Sequence, residues 1–292
     1  MILGITIRAE FHWGYWIRVP FTSKAQPTLS LPPPTTLIGA LASGLVKEGL
    51  IKDPEGKRVS GEIITTRVKT KSRRRDKIDF RSPASLLDEA LIAASAALTN
   101  GRKAFIMDDL SKYVTLLFQE KIPEEVDGEK IPRRYLPKYR AGAINCGKVY
   151  YPSGPIDIVF LFDAQRLEEI ICDDPVRAII EASWSINRIG SKESLVIVRN
   201  VAFRKLEESD IAKGIVMTRF YFPSRAGRVL SGDYYTEVFW RRGWGRLDPP
   251  IFEEYIVPGS RSPVTSSNVI IDADAYIRLD GDTVIVFSNF QR

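Results

Sequence analysis

The chain is poor in the residues that most often carry metal, redox and acid–base chemistry: its 292 residues include one histidine, two cysteines and three methionines. Two cysteines, Cys146 and Cys172, cannot build a disulfide framework or a zinc set, and both are expected as thiols in a reducing compartment. A single bond between them stays open, since intracellular proteins of hyperthermophiles do carry disulfides. No His/Cys/Asp array has zinc spacing and no acidic trio is assignable to magnesium, so no metal or other cofactor is implied. No apolar run approaches the roughly 20 residues of a membrane helix. Met1 to Glu10 reads as a strand carrying Arg8 and Glu10, not as a secretion signal, which points to the cytoplasm. Glutamine and asparagine, four and six residues, are scarce enough to suit a thermophile.

Basic charge is what the chain has in excess, and it is unevenly placed. The net +6 comes from 42 Lys+Arg against 36 Asp+Glu. Residues 1–150 hold 25 basic and 16 acidic residues, whereas 151–292 hold 17 and 20. Within 67–81 (RVKTKSRRRDKIDFR), Arg67, Lys69, Lys71, Arg73, Arg74, Arg75, Lys77 and Arg81 face only Asp76 and Asp79. A second basic stretch carries Arg133, Arg134, Lys138, Arg140 and Lys148, interleaved with Tyr135 and Tyr139. Charge at this density repels itself unless an anion relieves it, and a polyphosphate backbone is the usual partner. Aromatic rings beside the cations suit unpaired bases. A solvated loop is the alternative for either stretch. Three successive arginines cannot share one face of a helix or strand, which favours a loop or hairpin tip at 73–75.

The hydrophobic pattern predicts an α+β protein. A strand is expected at 2–9, then a proline-rich loop over 20–36. A helix follows, capped by Thr35 or Thr36, with Ile38, Leu41 and Leu45 on its buried face. The small residues Gly39, Ala40, Ala42, Ser43 and Gly44 predict close packing against it. A strand is expected at 62–69, and a helix from Ser82-Pro83 with Leu87, Leu91, Ala94 and Leu98 on one face. Acidic 120–129 reads as an exposed loop. Ile156–Phe162 is an apolar strand, Asp173 and Asp174 cap a helix opened by Pro175, and 195–203 is another strand. Strand–helix–strand twice over is what a split βαβ or ferredoxin-like sheet requires. From residue 215 the helical period disappears: IVMTRFYF (215–222), YYTEVFW (234–240) and AYIRL with TVIVF (275–279 and 283–287) read as strands, the last two joined through the tight hairpin Asp280-Gly281. The expected division is a ferredoxin-like unit at 1–206 and a smaller β-rich unit at 207–292.

Two segments, Phe11-His12-Trp13-Gly14 and Ser30-Leu31-Pro32-Pro33-Pro34-Thr35-Thr36-Leu37-Ile38-Gly39-Ala40-Leu41, resemble the Cas family five proteins, the RAMP subunits of CRISPR Cascade complexes. The archaeal type I-A branch is the most similar. A looser likeness lies at 188–194 (RIGSKES), a glycine-bearing turn before a strand. The firm resemblance covers under a tenth of the chain. It implies an RRM-like ferredoxin fold with a smaller β-rich C-terminal part, in a subunit that holds the repeat-derived 5′ handle of the crRNA. The implied partners are the crRNA, the Cascade backbone and large subunits, and the small subunit as a further neighbour. A basic hairpin would reach toward the backbone subunit, and 67–81 suits that hairpin or an RNA-contacting loop.

Some relatives, of type I-C, cleave the repeat RNA themselves with aromatic, Lys and His residues. The corresponding set here would be His12, Tyr15 and Lys24, with His12 the one histidine available for proton transfer. The alternative is that His12 stacks or packs beside the tryptophans. GxxxxGK[ST] is absent around Lys192, leaving Ser191 and Lys192 either as phosphate contacts or as a structural turn with a solvated lysine. Trp240-Arg241-Arg242-Gly243-Trp244-Gly245-Arg246 reads either as an RNA-binding stretch or as a strand end turning through its glycines. Asp108-Asp109 are expected at a helix N-cap. The expected function is a non-catalytic crRNA-binding subunit. A metal-independent endoribonuclease acting on repeat RNA and a type III RAMP subunit are the alternatives.

Overall fold

The computed structural model describes residues 1–22, 25–53, 56–59, 61, 64–68, 77–115, 125–126, 128–130, 141–172, 174–242 and 250–286. The architecture is α+β with strands dominant. Its centre is a four-stranded antiparallel sheet of β1 (Ile2–Phe11), β2 (Leu91–Leu98), β3 (Gly154–Asp163) and β4 (Val196–Leu206), in the order β4-β1-β3-β2. Among the described residues four α-helices accompany it: α1 (Pro34–Lys47), α2 (Ala84–Ala90), α3 (Ala164–Ile170) and α4 (Pro175–Trp184). Alternation along β1 sends Leu3, Ile5, Ile7, Ala9 and Phe11 into one core with Ile38, Leu41 and Leu45 of α1 and Ile179 of α4. On the opposite face Ala97, Val159 and Leu161 pack against Ile277, Leu279 and Val284 from the end of the chain.

The C-terminal strands are β5 (Ala212–Thr218), β6 (Gly227–Ser231), β7 (Tyr234–Arg242), β8 (Ile251–Arg261), β9 (Val269–Leu279) and β10 (Asp282–Ile285). One sheet has the order β5-β9-β6 with β10 also on β9, and β7 pairs with β8 in another. Asp280 (φ +51) and Gly281 (φ +87) form the β9–β10 turn, both left-handed as such a hairpin needs. An ionic staple joins the two parts. The Arg219 guanidinium donates to Asp157 on β3 at 2.8 Å and to Asp282 at 2.7 and 2.9 Å, and Arg8 on β1 donates to Asp157 at 2.7 Å. Tyr221, Phe239, Tyr255 and Val257 share the core of α1, so side chains on either side of residue 206 are buried together.

Several expectations are corrected. Residues 91–98, expected to continue a helix, form β2. Alanine favours helix by only tenths of a kcal/mol, and the exposed edge of apolar β3 offers a full ladder of hydrogen bonds instead. Asp108 and Asp109 cap no helix; they lie in the strand Phe105–Thr115, paired with Ala141–Tyr150, and Asp109 takes an ion pair from Lys148 at 2.8 Å. Neither Thr35 nor Thr36 caps α1. The cap is Pro33, the helix begins at Pro34, and the Thr35 hydroxyl donates to the Trp240 carbonyl at 2.9 Å. The strand at 215–222 breaks after Thr218, where Arg219 joins the staple.

The helix cap expected before Pro175 is present. Asp174 caps α4 through Val176 N at 2.9 Å, while Asp173 lies outside the described residues. Strands Ile64–Val68 and Lys77–Arg81 pair antiparallel, as do Glu125–Val126 and Glu129–Lys130, whereas 69–76, with the expected tip at 73–75, and 120–124 of the expected acidic loop lie outside the described residues. Cys146 is buried, Cys172 is half-buried, and no disulfide joins them. Among the described residues no cluster of His, Cys, Asp or Glu is able to hold a metal, and no helix is long and apolar enough to cross a membrane.

Candidate nucleic-acid interface

Beyond β1 the chain turns at Phe11–Gly14, and that turn is tied to the segment before β4. His12 N donates to Leu195 O at 3.1 Å and the Trp13 indole to Glu193 O at 2.6 Å. Gly14 has φ +140, and a Cβ there would lie 2.8 Å from Tyr151 N, so only glycine fits. Trp16–Arg18 then runs against Pro27–Leu29, with Leu29 N donating to Ile17 O at 2.9 Å. The turn 188–194 docks on this extended segment. Ser191 N donates to Trp16 O at 3.0 Å, and Trp16 N donates to the Ser194 hydroxyl at 3.0 Å. Gly190, at φ +102, makes the approach possible, because a Cβ would sit 2.9 Å from Trp16 O.

These contacts leave a groove of about 930 Å³. Trp16, Arg18 and Phe21 line one side, and Arg188, Ser191 and Lys192 line another. Gly39, which has no side chain, and small Ser43 of α1 also line it, and Trp240 borders it from the C-terminal part. The small residues of α1 therefore do two jobs. Gly44 packs against Ala182 of α4, whereas nothing lies within 4 Å of a Cβ built on Gly39, which opens space in the groove. Arg18, Arg188 and Lys192 are exposed and make no ion pair among the described residues, and Glu193 is the groove's acidic member. Among the described lining residues three cations stand against one carboxylate, and the exposed Phe21 ring and half-buried Trp240 indole beside them suit an anionic ligand that carries flat apolar faces, while Trp16 is buried beneath.

The proline-rich segment beside the groove is clamped from the C-terminal part. Glu237 accepts from Ser30 N at 3.2 Å and from the Ser30 hydroxyl, which also meets Tyr235 OH at 2.6 Å. Tyr221 OH donates to Pro32 O at 2.8 Å, and Tyr15 OH donates to Ser30 O. Burial pushes the Glu237 carboxyl above its ordinary value, against the opposing Ser30 hydrogen bonds and the nearby Arg261 charge. Burial likewise raises the Tyr15 phenol.

The expected site residues meet different fates. Ser191 and Lys192 line the groove. Lys69, Lys71, Arg73, Arg74, Arg75, Arg133, Arg134, Lys138, Arg140 and Lys24 lie outside the described residues, and Lys77 opens a hairpin strand. His12 and Tyr15 do not assemble as a catalytic pair: His12 is exposed, while Tyr15 is fully buried with its hydroxyl committed to Ser30 O. Arg241 is part-buried in an ion pair with Asp88 at 2.6 Å, while 243–249 are outside the described residues. Trp16, Arg18 and Phe21 belong to no motif in the sequence, and Arg188 only opens the turn 188–194. The one available signal was Phe21 after Pro20, a turn position that usually holds glycine.

No family model matches the chain. A CRISPR-associated protein Cas5 from Saccharolobus solfataricus is 30% identical over 280 residues, spanning 94% of this chain and 96% of the relative. A second protein of that organism, described as CRISPR system aCascade subunit Cas5, is 31% identical over 288 residues with the same shares covered. This chain belongs to the Cas5 family. The Cas5 chain also resembles the crystal structure of a CRISPR protein from Archaeoglobus fulgidus, with a TM-score of 0.55 at 18% identity over 97% and 98% of the two chains, a likeness of fold. The family resemblance at 11–14, 30–41 and 188–194 thus falls on segments that meet around one groove.

Proposed function

We propose that this Cas5 chain is the non-catalytic crRNA-binding subunit of a type I-A Cascade effector complex and caps the 5′ handle of the crRNA in antiviral defence. One observation carries the reading: the groove that gathers Arg18, Arg188 and Lys192 with the exposed Phe21 and the half-buried Trp240. In it, cations neutralise handle phosphates and aromatic faces hold splayed bases. The relative described as an aCascade subunit supports membership of a multi-subunit ribonucleoprotein. The β4-β1-β3-β2 order, with α1 between β1 and β2 and α4 between β3 and β4, supports an RRM-like ferredoxin unit at 1–206 beside a β-rich unit at 207–292. The hairpin flanking 69–76 is assigned to the backbone subunit or the RNA, and the large and small subunits meet other faces.

The test is binding of the purified chain to the repeat RNA of its own locus against a scrambled RNA of equal length, across a salt series. The expected result is preferential, salt-sensitive binding of uncut RNA. Arg188→Gln combined with Lys192→Gln should flatten the log–log salt slope by about 1.4, two single-strand phosphate contacts' worth. An unchanged slope would remove the groove from the RNA path. A specific cut lost in His12→Ala would establish the endoribonuclease reading instead.

A further inference from the structure

We infer that Phe21 is the base-stacking residue of this groove, holding an unpaired base at its mouth; the inference rests on reading the groove as an RNA site. Phe21 occupies the third position of the turn Val19-Pro20-Phe21-Thr22 with φ +64, a left-handed conformation that disfavours a bulky side chain. The turn is closed by the Thr22 hydroxyl, which donates to Val19 O at 2.7 Å. Strain of this kind persists where the surroundings impose it and collects at ligand sites. No gain from burial explains the ring, because Phe21 is 75% exposed while lining the groove. Its aromatic neighbour is Phe252 on β8, 44% exposed, edge-on at 6.1 Å with 67° between planes, an arrangement that orients the ring and leaves most of it to solvent. Arg18, Arg188 and Lys192 of the same groove supply the phosphate contacts that a stacked nucleotide needs. A phenyl face carries no hydrogen-bonding pattern, so the site accepts any base and requires only that a base be present.

The experiment uses the full chain and repeat RNA in which 2-aminopurine replaces one base at a time along the handle. One position should show quenched emission in the wild type, and the quench should vanish in Phe21→Gly. That variant should bind RNA about 5- to 150-fold more weakly, the range of one base–aromatic stack. Glycine accepts φ +64, so the melting temperature of Phe21→Gly should equal or exceed that of the wild type. Phe21→Tyr should restore both binding and quench, and an abasic nucleotide at the quenched position should weaken wild-type binding while leaving Phe21→Gly unaffected. Wild-type affinity in Phe21→Gly would overturn the inference, as would a melting temperature that falls together with the affinity. If Arg188→Gln with Lys192→Gln also binds as wild type, the groove itself is not the RNA site, and the underlying reading fails with it.

Discussion

Gly39 and Gly44 lie on the same helix five residues apart, and the same substitution should affect them in opposite directions. Exchanging glycine for alanine inside a helix gains about 0.8–1 kcal/mol from propensity, and that gain is common to both sites. At Gly39 nothing lies within 4 Å of the new methyl, so the gain stands alone. At Gly44 the methyl would sit 2.8 Å from Ala182 O and 3.0 Å from Ala182 Cα. Those are backbone atoms of α4 and cannot rotate away. Either α1 lifts from α4 or α4 shifts, an overpacking cost of about 1–3 kcal/mol. Propensity cancels in the comparison, so the gap between the two variants reports the packing cost directly. For a chain of this size it corresponds to roughly 2–5 °C in melting temperature. Urea unfolding with unchanged slope, alongside thermal melts, provides the measurement. Equal stability of Gly39→Ala and Gly44→Ala would refute the described approach of α1 to α4, and with it the reason that the groove opens at Gly39 and closes at Gly44.

Arg219→Leu should cost about 1.5–3 kcal/mol by leaving Asp282 without its guanidinium and Asp157 with Arg8 alone, whereas Arg8→Leu should cost under ~1 kcal/mol because Arg8 is largely exposed; chemical unfolding separates them. Although burial alone would raise the Asp157 carboxyl, hydrogen bonds from Arg8 and Arg219 hold it below its ordinary 3.8. Its stabilising contribution is therefore present above that value and lost as pH falls through the folded one, so Asp157→Asn should show a flatter acid limb in melts from pH 5 to 2. Glu237 has the opposite sign. Its folded value is raised above the ordinary 4.5, so the wild type should lose stability as pH rises through that value, and Glu237→Gln should remove this part of the dependence. A Glu237→Gln profile parallel to wild type would show that the carboxyl titrates normally. Gly190→Ala should cost about 2–4 kcal/mol through its left-handed backbone and the contact with Trp16 O, and should weaken RNA binding by displacing Ser191 and Lys192; native-like melting with full binding would contradict the turn's role.

Local interactions made part of this protein legible from its sequence. The apolar run Ile156–Phe162, the cap at Asp174, the buried stripe Ile38, Leu41 and Leu45, and the Asp280-Gly281 hairpin each depend on neighbours within a few residues, so pattern alone located them. The excess of basic charge and the segments at 11–14 and 30–41 were equally visible. Long-range terms decided the rest. Alanine-rich 91–98 became a strand because the edge of β3 needed partners, and Thr35 left its expected cap to reach the Trp240 carbonyl 205 residues away. Tyr15, adjacent in sequence to plausible chemistry, was taken into the core by Ser30. The groove is the clearest case. Its cations come from residues 18, 188 and 192 and its rings from 16, 21 and 240, so no window of sequence contains it. A local pattern can specify an element because the interactions that form it are short in sequence, whereas a binding surface exists only after β1, α1, the 188–194 turn and β7 have packed together.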